Sequence, residues 1–217
     1  DLGFAGTKLP SGRGISFIDV PGHVRFLKNM LAGVGGVDAC IFVVAATEGW
    51  KPQSEEHLRI LSLLGIRHGI VALTKVGHVD DELATIAQME IADRTEGTFL
   101  ADAPIVPVDA IEGHGIDDLN TALDQLLDVT PTARDDKKPR LWIDRVFAAK
   151  GAGTVVTGTL TGGMMRVEDE LSVLPQHAAV RVRALQSQYA DRTKVGPGNR
   201  VAANLSGVSH DQLRRGD

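Results

Sequence analysis

Between residues 39 and 129 the apolar positions follow two alternating patterns. Continuous apolar runs, typical of strands buried on both faces of a parallel sheet, occupy 39–46 and 69–74, and a further strand is predicted to start at 104. Apolar residues at helical spacing, with charged residues between them, occupy 52–64, 80–92 and 115–129. Strands that alternate with helices in this way predict an open, mostly parallel, three-layer α/β sheet.

The residues before this region have a different pattern. The segments "LGFAGTKL" (2–9) and "ISFIDV" (15–20) have the composition of strands. The cluster "PSGRG" (10–14) between them is suited to a tight turn. The sequence therefore predicts an N-terminal β-hairpin.

Helical periodicity ends at "TPTARDDKKPR" (130–140), whose two prolines and mixed charge are typical of a linker. Beyond it, short β-rich runs alternate with turns that contain glycine and proline, a pattern typical of a small antiparallel barrel. These runs are "RLWIDRVF", "GTVVTGTL", "ELSVL", "VRVRALQ" and "RVAANL". We predict two domains, residues 1–134 and 138–217, that divide near residue 135.

Composition limits the classes of protein that need to be considered. The 217-residue chain is 43% hydrophobic, enough to bury a sizeable core, and no run approaches the ~20 apolar residues of a membrane span. Its one cysteine, Cys40, cannot form an internal disulfide and is expected to be an unreactive core residue, which favours a cytoplasmic location. A formal net charge of -5 argues against general coating of nucleic acid.

The turn after the second hairpin strand concentrates residues with useful chemistry. In "FIDVPGHVRF" (17–26), Asp19, Gly22 and His23 follow directly on an apolar run. Ligands of open parallel sheets bind beyond the carboxyl ends of the strands, where an aspartate can hold magnesium through water and a glycine lets a backbone N–H approach a phosphate. A histidine there can orient an attacking water. The alternative, which this motif alone leaves open, is an ordinary turn.

Longer segments resemble a known family. The segment "DVPGHVRFLKNMLAGVGGVDACIFVVAATEGWKPQSEEHL" resembles the switch II region and following sheet of translational GTPases, and "RVFAAKGAGTVVTGTLTGG" resembles the start of their β-barrel domain. The segments "DLGFA" (1–5), "AGVGG" (32–36) and "IDRVF" (143–147) are similar to the selenocysteine-specific elongation factors among them. The resemblance covers nearly the whole chain and implies a partial P-loop GTPase domain followed by a small antiparallel β-barrel domain.

The resemblance implies roles for the residues of the turn. Asp19 would hold Mg²⁺ through water, Gly22 would sense the γ-phosphate of GTP with its backbone N–H, and His23 would be the catalytic residue that positions the hydrolytic water. The phosphate-cradling motif G-x-x-x-x-G-K-[ST] does not occur in the 217 residues, and the family's switch I threonine and first strand would lie before Asp1. We therefore expect this chain by itself to hydrolyse GTP no faster than background.

Recognition of the guanine base departs from the family pattern at one position. The family motif T-K-x-D begins here at Thr74 and Lys75 and ends at Gly77, so the carboxylate that accepts two hydrogen bonds from guanine is missing. Lys75 can still cover the base with its aliphatic stem. We expect a poor preference for GTP over ATP, unless Asp80 or Asp81 folds back onto the base. Gly77→Asp should restore the preference for GTP.

A second departure lies in the last nucleotide loop. The resemblance implies that Asp109 and Ala110 stand where the family usually has Ser-Ala. Because the family contacts the base oxygen there through backbone N–H groups, we expect the change to be tolerated, with both residues still contributing to the GTP site.

Positive charge in the predicted barrel is the feature that would separate a selenocysteine-specific factor from a general one. A selenol is largely an anion at neutral pH, so a selective pocket should offer fixed cations. By the resemblance, Asp144, Arg145 and Arg200 match the positions that surround the selenocysteyl group of the aminoacyl-tRNA. The alternative is that both arginines only pair with Asp144 or with surface carboxylates.

The resemblance implies a factor that uses GTP and Mg²⁺ to deliver selenocysteyl-tRNA to the ribosome, with GTP hydrolysed on delivery. Family members bind an mRNA hairpin through further C-terminal domains. Two alternatives stay open from the sequence. One is a general or initiation-type translational GTPase, and the other is a non-hydrolysing remnant whose barrel still binds tRNA.

Overall fold

The computed structural model describes residues 3–20, 22, 37–149, 151 and 153–217. An N-terminal hairpin, β1 (Gly3–Lys8) and β2 (Gly14–Asp19), precedes a region of alternating strands and helices. In chain order these are β3 (Cys40–Ala45), α1 (Pro52–Leu63), β4 (Gly69–Thr74), a 3₁₀ helix (Val76–His78), α2 (Asp81–Thr95), β5 (Ile105–Val108) and α3 (Ile116–Val129). The predicted hairpin, strands and helices are confirmed, and their ends differ from the predictions by a few residues.

The strands β3, β4 and β5 form a parallel sheet in that order. Because successive side chains of a strand point to opposite faces, Val71 and Leu73 pack with α1 and α2, whereas Ile70 and Ala72 pack with α3. Helices therefore cover both faces of the sheet, which is the physical reason for its continuous apolar strands. None of the helices in the described ranges is long and apolar enough to cross a membrane.

The hairpin forms its own two-stranded sheet and packs beside α3. At its turn, Ser11 donates a hydrogen bond to Asp124 (2.5 Å) and Arg13 forms an ion pair with Asp128 (2.8 Å). Asp19 lies at the opposite end, where β2 pairs with the start of β1. The anchored turn therefore fixes the strand that carries Asp19.

Residues 140–217 form an antiparallel structure around one apolar core. Its strands are β6 (Arg140–Ala149), β7 (Gly153–Thr161), β8 (Met165–Arg166), β9 (Glu170–Val173), β10 (Ala178–Ser187), β11 (Ala190–Arg192), β12 (Lys194–Val195) and β13 (Arg200–Ser206). The main sheet has the order β11-β10-β13-β7-β6 with β9 beside β10, and β8 pairs with β12. This open path through the described residues makes a half-barrel, in agreement with the predicted antiparallel β domain.

Residues 131–139 contain neither helix nor strand, as predicted for a linker. The apolar clusters on the two sides of this segment share no residue. Direct contacts nevertheless join the two parts, since the ring of Phe4 on β1 lies against the guanidinium groups of Arg145 and Arg200 on the half-barrel.

Candidate nucleotide and aminoacyl sites

Two loops meet at the carboxyl edge of the parallel sheet. Thr74 at the end of β4 is in register with Val108 at the end of β5, so the loops that follow these strands are neighbours. The backbone N–H of Gly77 in the first loop donates to the carboxylate of Asp109 in the second (N to Oδ2, 3.3 Å). The structure thus brings the two predicted base-recognition segments together.

The Asp109 side chain organises the loop after β5. The residue is only 2% exposed, and its Oδ1 accepts the backbone N–H groups of Ile111 (3.1 Å) and Glu112 (3.3 Å). Burial by itself raises the pKa of this carboxyl, but the N–H groups of Glu112, Ile111 and Gly77 and the charge of His78 together bring the pKa below its ordinary value. A buried carboxylate with these partners holds the two loops together and does not face a ligand.

Gly77 lies where a side chain has little room. A Cβ atom at this position would lie 2.9 Å from Asp109 Oδ2 and 3.1 Å from Glu112 Oε2. Gly77→Asp would therefore force a neighbour to shift and would place a third carboxylate against two that repel it. The sequence led us to expect that Gly77→Asp alone would restore base selectivity. This geometry is at odds with that expectation.

The other predicted base-recognition residues make local contacts or lie at the surface. Thr74 donates through Oγ1 to the carbonyl of Val44 on β3 (3.3 Å), which ties the two strands together. Lys75 has a left-handed backbone (φ 59°), and its Nζ contacts Glu48 Oε1 at 3.5 Å. Ala110 is exposed beside this edge. The contact of its ammonium group with Glu48 thus keeps the Lys75 side chain beside the loop after β4.

Asp80 serves as the N-terminal cap of α2. Its carboxylate accepts the backbone N–H of Leu83 at 2.8 Å. This cap satisfies a helix N–H that would otherwise lack a partner, and it fixes the side chain at the helix end. The suggestion that Asp80 folds back onto the base is therefore wrong for this structure, while Asp81, the first residue of α2, stays a candidate.

The predicted phosphate-binding turn is described only in part. Asp19 is exposed at the end of β2, whereas the predicted catalytic residue His23 lies outside the described residues. The carbonyl of Gly22 accepts a hydrogen bond from Nε2 of His57 on α1 (2.9 Å). Because a carbonyl only accepts, Nε2 carries the hydrogen. Sequence reasoning missed His57, since nothing in its local sequence indicates this distant partner.

Asp19 alone fits a magnesium ion held mainly by water and phosphate. Mg²⁺ usually keeps several waters and takes one or two protein carboxylates together with substrate phosphates. Within the described ranges, no group of three His, Cys, Asp or Glu side chains is arranged to hold a metal ion. An exposed carboxylate at a strand end suits contact through water and does not form a closed protein cage.

Asp144, Arg145 and Arg200 form a charged group on the half-barrel, here called the arginine cluster. Asp144 lies at a bulge in β6, and Arg200 begins β13. Arg200 contacts both carboxylate oxygens of Asp144, Nη1 with Oδ2 and Nη2 with Oδ1, the second at 2.9 Å. Thr157 on β7 donates to Asp144 (2.7 Å) and accepts from Arg200 (3.2 Å). The side chains of Arg200 and Asp144 are only 21% and 12% exposed, so this bidentate pair fixes the direction of Arg200.

An aromatic ring from the hairpin covers the arginine cluster. Cζ of Arg200 lies 3.3 Å from the ring centre of Phe4, and Cζ of Arg145 lies 5.0 Å from it. Arg200 does pair with Asp144, as the alternative to an aminoacyl site supposes. Arg145 adds a second guanidinium, which stays charged at neutral pH, to the same face of the ring.

Cys40 packs against the apolar cluster between the parallel sheet and helices α1 and α2. Burial raises the pKa of its thiol to about 12. The reactive thiolate is therefore scarce at neutral pH. The predicted place of Cys40 at the core is confirmed, with the side chain partly buried, and its low reactivity stays a prediction.

The chain combines a parallel α/β sheet, with nucleotide-type loops at its carboxyl edge, and an antiparallel half-barrel, which is the order of domains that the resemblance to the translational GTPases implies. A family model described as "Elongation factor Tu GTP binding domain" matches residues 7–129. The chain belongs to this family.

Named relatives refine the comparison. A selenocysteine-specific elongation factor from Desulfomicrobium baculatum is 42% identical over 217 residues, which is 100% of this chain and 34% of that protein. The crystal structure of the bacterial selenocysteine-specific elongation factor EF-Sec has a TM-score of 0.94 and 38% identity, and the match covers 100% of this chain and 37% of that one. Translation elongation factor SelB from Methanococcus maripaludis, in complex with the GTP analogue GppNHp, has a TM-score of 0.93 and 32% identity, with 100% and 48% covered.

These matches confirm the resemblance to the selenocysteine-specific elongation factors and do not favour a general factor. They also limit what the chain alone can show. The chain spans about a third of the length of the curated relative from Desulfomicrobium baculatum.

Proposed function

We propose that this chain acts in an elongation factor that binds GTP and Mg²⁺, delivers selenocysteyl-tRNA to the ribosome and hydrolyses GTP on delivery. The observation that carries the proposal is the arginine cluster, in a chain whose matches are named selenocysteine-specific. Further domains of such a factor would bind an mRNA hairpin. The separate apolar clusters before and after residues 131–139 support a division into domains 1–134 and 138–217.

The α/β part would bind the nucleotide at the carboxyl edge of its sheet. The segments 74–75 and 109–110 would surround the base, and Gly22 would offer its backbone N–H to the γ-phosphate. Asp19 would contact Mg²⁺ through water, and the bound ion would neutralise charge on the phosphates. His23 would orient the hydrolytic water, and the His57 hydrogen bond to Gly22 would help to position the same turn.

The half-barrel would bind the aminoacyl end of the tRNA. A selenolate placed near the arginine cluster would meet guanidinium groups, and its hydrogen bonds to them would be roughly twice as strong as those of a neutral seryl hydroxyl. Both guanidinium groups lie at the ring of Phe4, with Arg200 held by Asp144 and Arg145 beside it. Selectivity for selenocysteine over serine would depend on the fixed charge of these arginines.

Arg145→Met tests this proposal, because methionine keeps an apolar stem and removes the charge. In the protein at the full length of its relatives, bound to GppNHp, we expect selenocysteyl-tRNA binding to weaken by about 1.5–3 kcal/mol. Binding of seryl-tRNA to the same variant should change much less. Protection of the aminoacyl ester from hydrolysis, titrated with each tRNA, measures both affinities.

The matched control is Arg183→Met, which removes an exposed arginine on β10. Its affinity for both tRNAs should change equally and weakly. This holds whether Arg183 lies near the tRNA phosphate backbone, which the two tRNAs share, or far from the tRNA. Equal losses for the two tRNAs in Arg145→Met would instead mean that Arg145 serves folding or the tRNA backbone, and the selenocysteine assignment would lose its support in the half-barrel.

A further inference from the structure

We propose that Glu112 supplies the carboxylate that recognises the base of the bound nucleotide. The inference rests on the proposed binding of GTP. Guanine presents two neighbouring N–H donors on one edge, at N1 and at the exocyclic amino group, and a single carboxylate can accept both. Gly77, at the position where the family motif ends in aspartate, has no side chain to do so.

The Glu112 carboxylate lies close to where that missing group would be. Its Oε2 lies 3.1 Å, and its Cδ 3.4 Å, from the position of a Cβ atom on Gly77. The carboxylate oxygens of an aspartate lie about 2.4 Å from its own Cβ, judged from bond lengths like those of the main-chain carbonyl. The loop after β5 thus brings a carboxylate oxygen close to the Cβ position of the missing aspartate, at 3.1 Å against about 2.4 Å for the aspartate's own oxygens.

Apart from Asp81, the other described carboxylates that we name at this edge are committed elsewhere. Asp109 is buried and accepts three backbone N–H groups, and Asp80 caps α2. Glu48 lies near Lys75 and Lys51. Glu112 is exposed, and its hydrogen bond in this loop comes from its backbone N–H, so its side chain can face a ligand.

The same arrangement accounts for both departures from the family motifs. Asp109 binds the N–H groups of Glu112 and Gly77, and thereby holds the two loops at the distance that brings Glu112 over Gly77. A side chain at position 77 would press on the buried carboxylate of Asp109 and force it or the exposed end of Glu112 to shift. The two departures therefore belong to one rearranged base-binding site. They are aspartate in place of serine at position 109 and glycine in place of aspartate at position 77.

Glu112→Gln tests the assignment in the full-length protein, with GTP and xanthosine triphosphate (XTP) as probes. Xanthine has a carbonyl oxygen where guanine has its amino group, so a glutamine amide can donate to it but cannot accept both guanine N–H groups. We expect GTP affinity to fall about tenfold to a hundredfold, because charge-assisted hydrogen bonds are lost. The preference should shift toward XTP. Competition with a fluorescent GDP analogue measures both affinities.

Asp81→Asn tests the rival candidate, with the same change of charge at the edge of the same site. It should leave GTP affinity and the GTP-to-XTP ratio unchanged. Unchanged GTP binding by Glu112→Gln, or a shift toward XTP in Asp81→Asn instead, would overturn the role of Glu112 while leaving the proposed function intact. If the unmodified protein binds neither nucleotide, the proposed GTP function fails and the role of Glu112 fails with it.

Discussion

The carboxylate of Asp109 accepts backbone N–H groups from two loops while almost the whole residue is buried. Hydrogen bonds to an ionised acceptor are stronger than those between neutral groups, and they favour the charged form. Since the pKa in the folded state is lowered, the charge contributes stability above the unfolded pKa of about 3.9. That contribution is lost as the pH falls through the folded pKa.

Asp109→Asn tests this link between charge and stability. An asparagine turns an NH₂ group toward backbone donors and leaves at least one of them unpaired, so we expect the urea midpoint at pH 7 to fall. The gap between the two proteins should narrow at pH 3, because this pH lies below the unfolded pKa of about 3.9 and the stability gained from the lowered folded pKa is then being lost. The exposed Asp102→Asn serves as the control and should change little at either pH. An equal gap at both pH values would show that shape, and not charge, is responsible.

At the scale of elements, the hairpin links the two parts of the chain through one ring. Phe4 lies on β1, and the arginines that it covers lie on β6 and β13. A guanidinium over an aromatic face is worth about 0.5–2 kcal/mol, depending on how well it is shielded from water. Phe4 and Arg145, which belong to two of the segments that indicated the selenocysteine-specific factors, therefore meet in space at this contact.

We expect Phe4→Leu to lower the free energy of unfolding by about 0.5–2 kcal/mol through loss of this cation–π contact. In a double-mutant cycle with Arg200→Met, most of that loss should disappear, because the nearer of the two cations over the ring is already absent. Urea unfolding of the four proteins measures the coupling. Phe147→Leu, a similar change at a half-exposed ring on β6, should show no coupling to Arg200. Additive effects of Phe4→Leu and Arg200→Met would mean that the ring only fills space.

Elements were the part of the structure most readily predicted from sequence. Continuous apolar runs gave β3 and β4 because both faces of the sheet are covered by helices, and the spacing of leucines gave α1 and α3. The strands β8 and β12 were missed, since two residues show no periodicity. Their pairing depends on Met165 and Val195 entering the core of the half-barrel.

At the scale of the whole molecule, the chain has separate apolar cores on the two sides of residues 131–139. Leu73 is fully buried in the α/β part and Leu160 is fully buried in the half-barrel. Because the clusters share no residue, a cavity in one core removes no apolar contact from the other. The two parts should therefore respond separately to damage in their cores.

Leu160→Ala and Leu73→Ala form a matched pair that tests this independence. Each should destabilise its own part by about 2–5 kcal/mol, through lost burial and the cavity left behind. In amide hydrogen exchange, protection should fall in β7 and β13 for Leu160→Ala, and in β4 and β5 for Leu73→Ala. If either variant lowers protection equally in both parts, the molecule unfolds as one cooperative unit and the contacts of the hairpin are stronger than we infer.

The sequence by itself determined the alternation of strands and helices, the change to an antiparallel β domain, the family, and the residues that match its motifs. Periodicity and short motifs depend on neighbours in the chain, so they can be recognised without the fold. Only the tertiary structure decided that Asp109 is a buried anchor, that Glu112 lies over Gly77, and that Arg200 pairs with Asp144. These contacts join residues up to 56 positions apart, and they depend on which strands become neighbours when the chain folds.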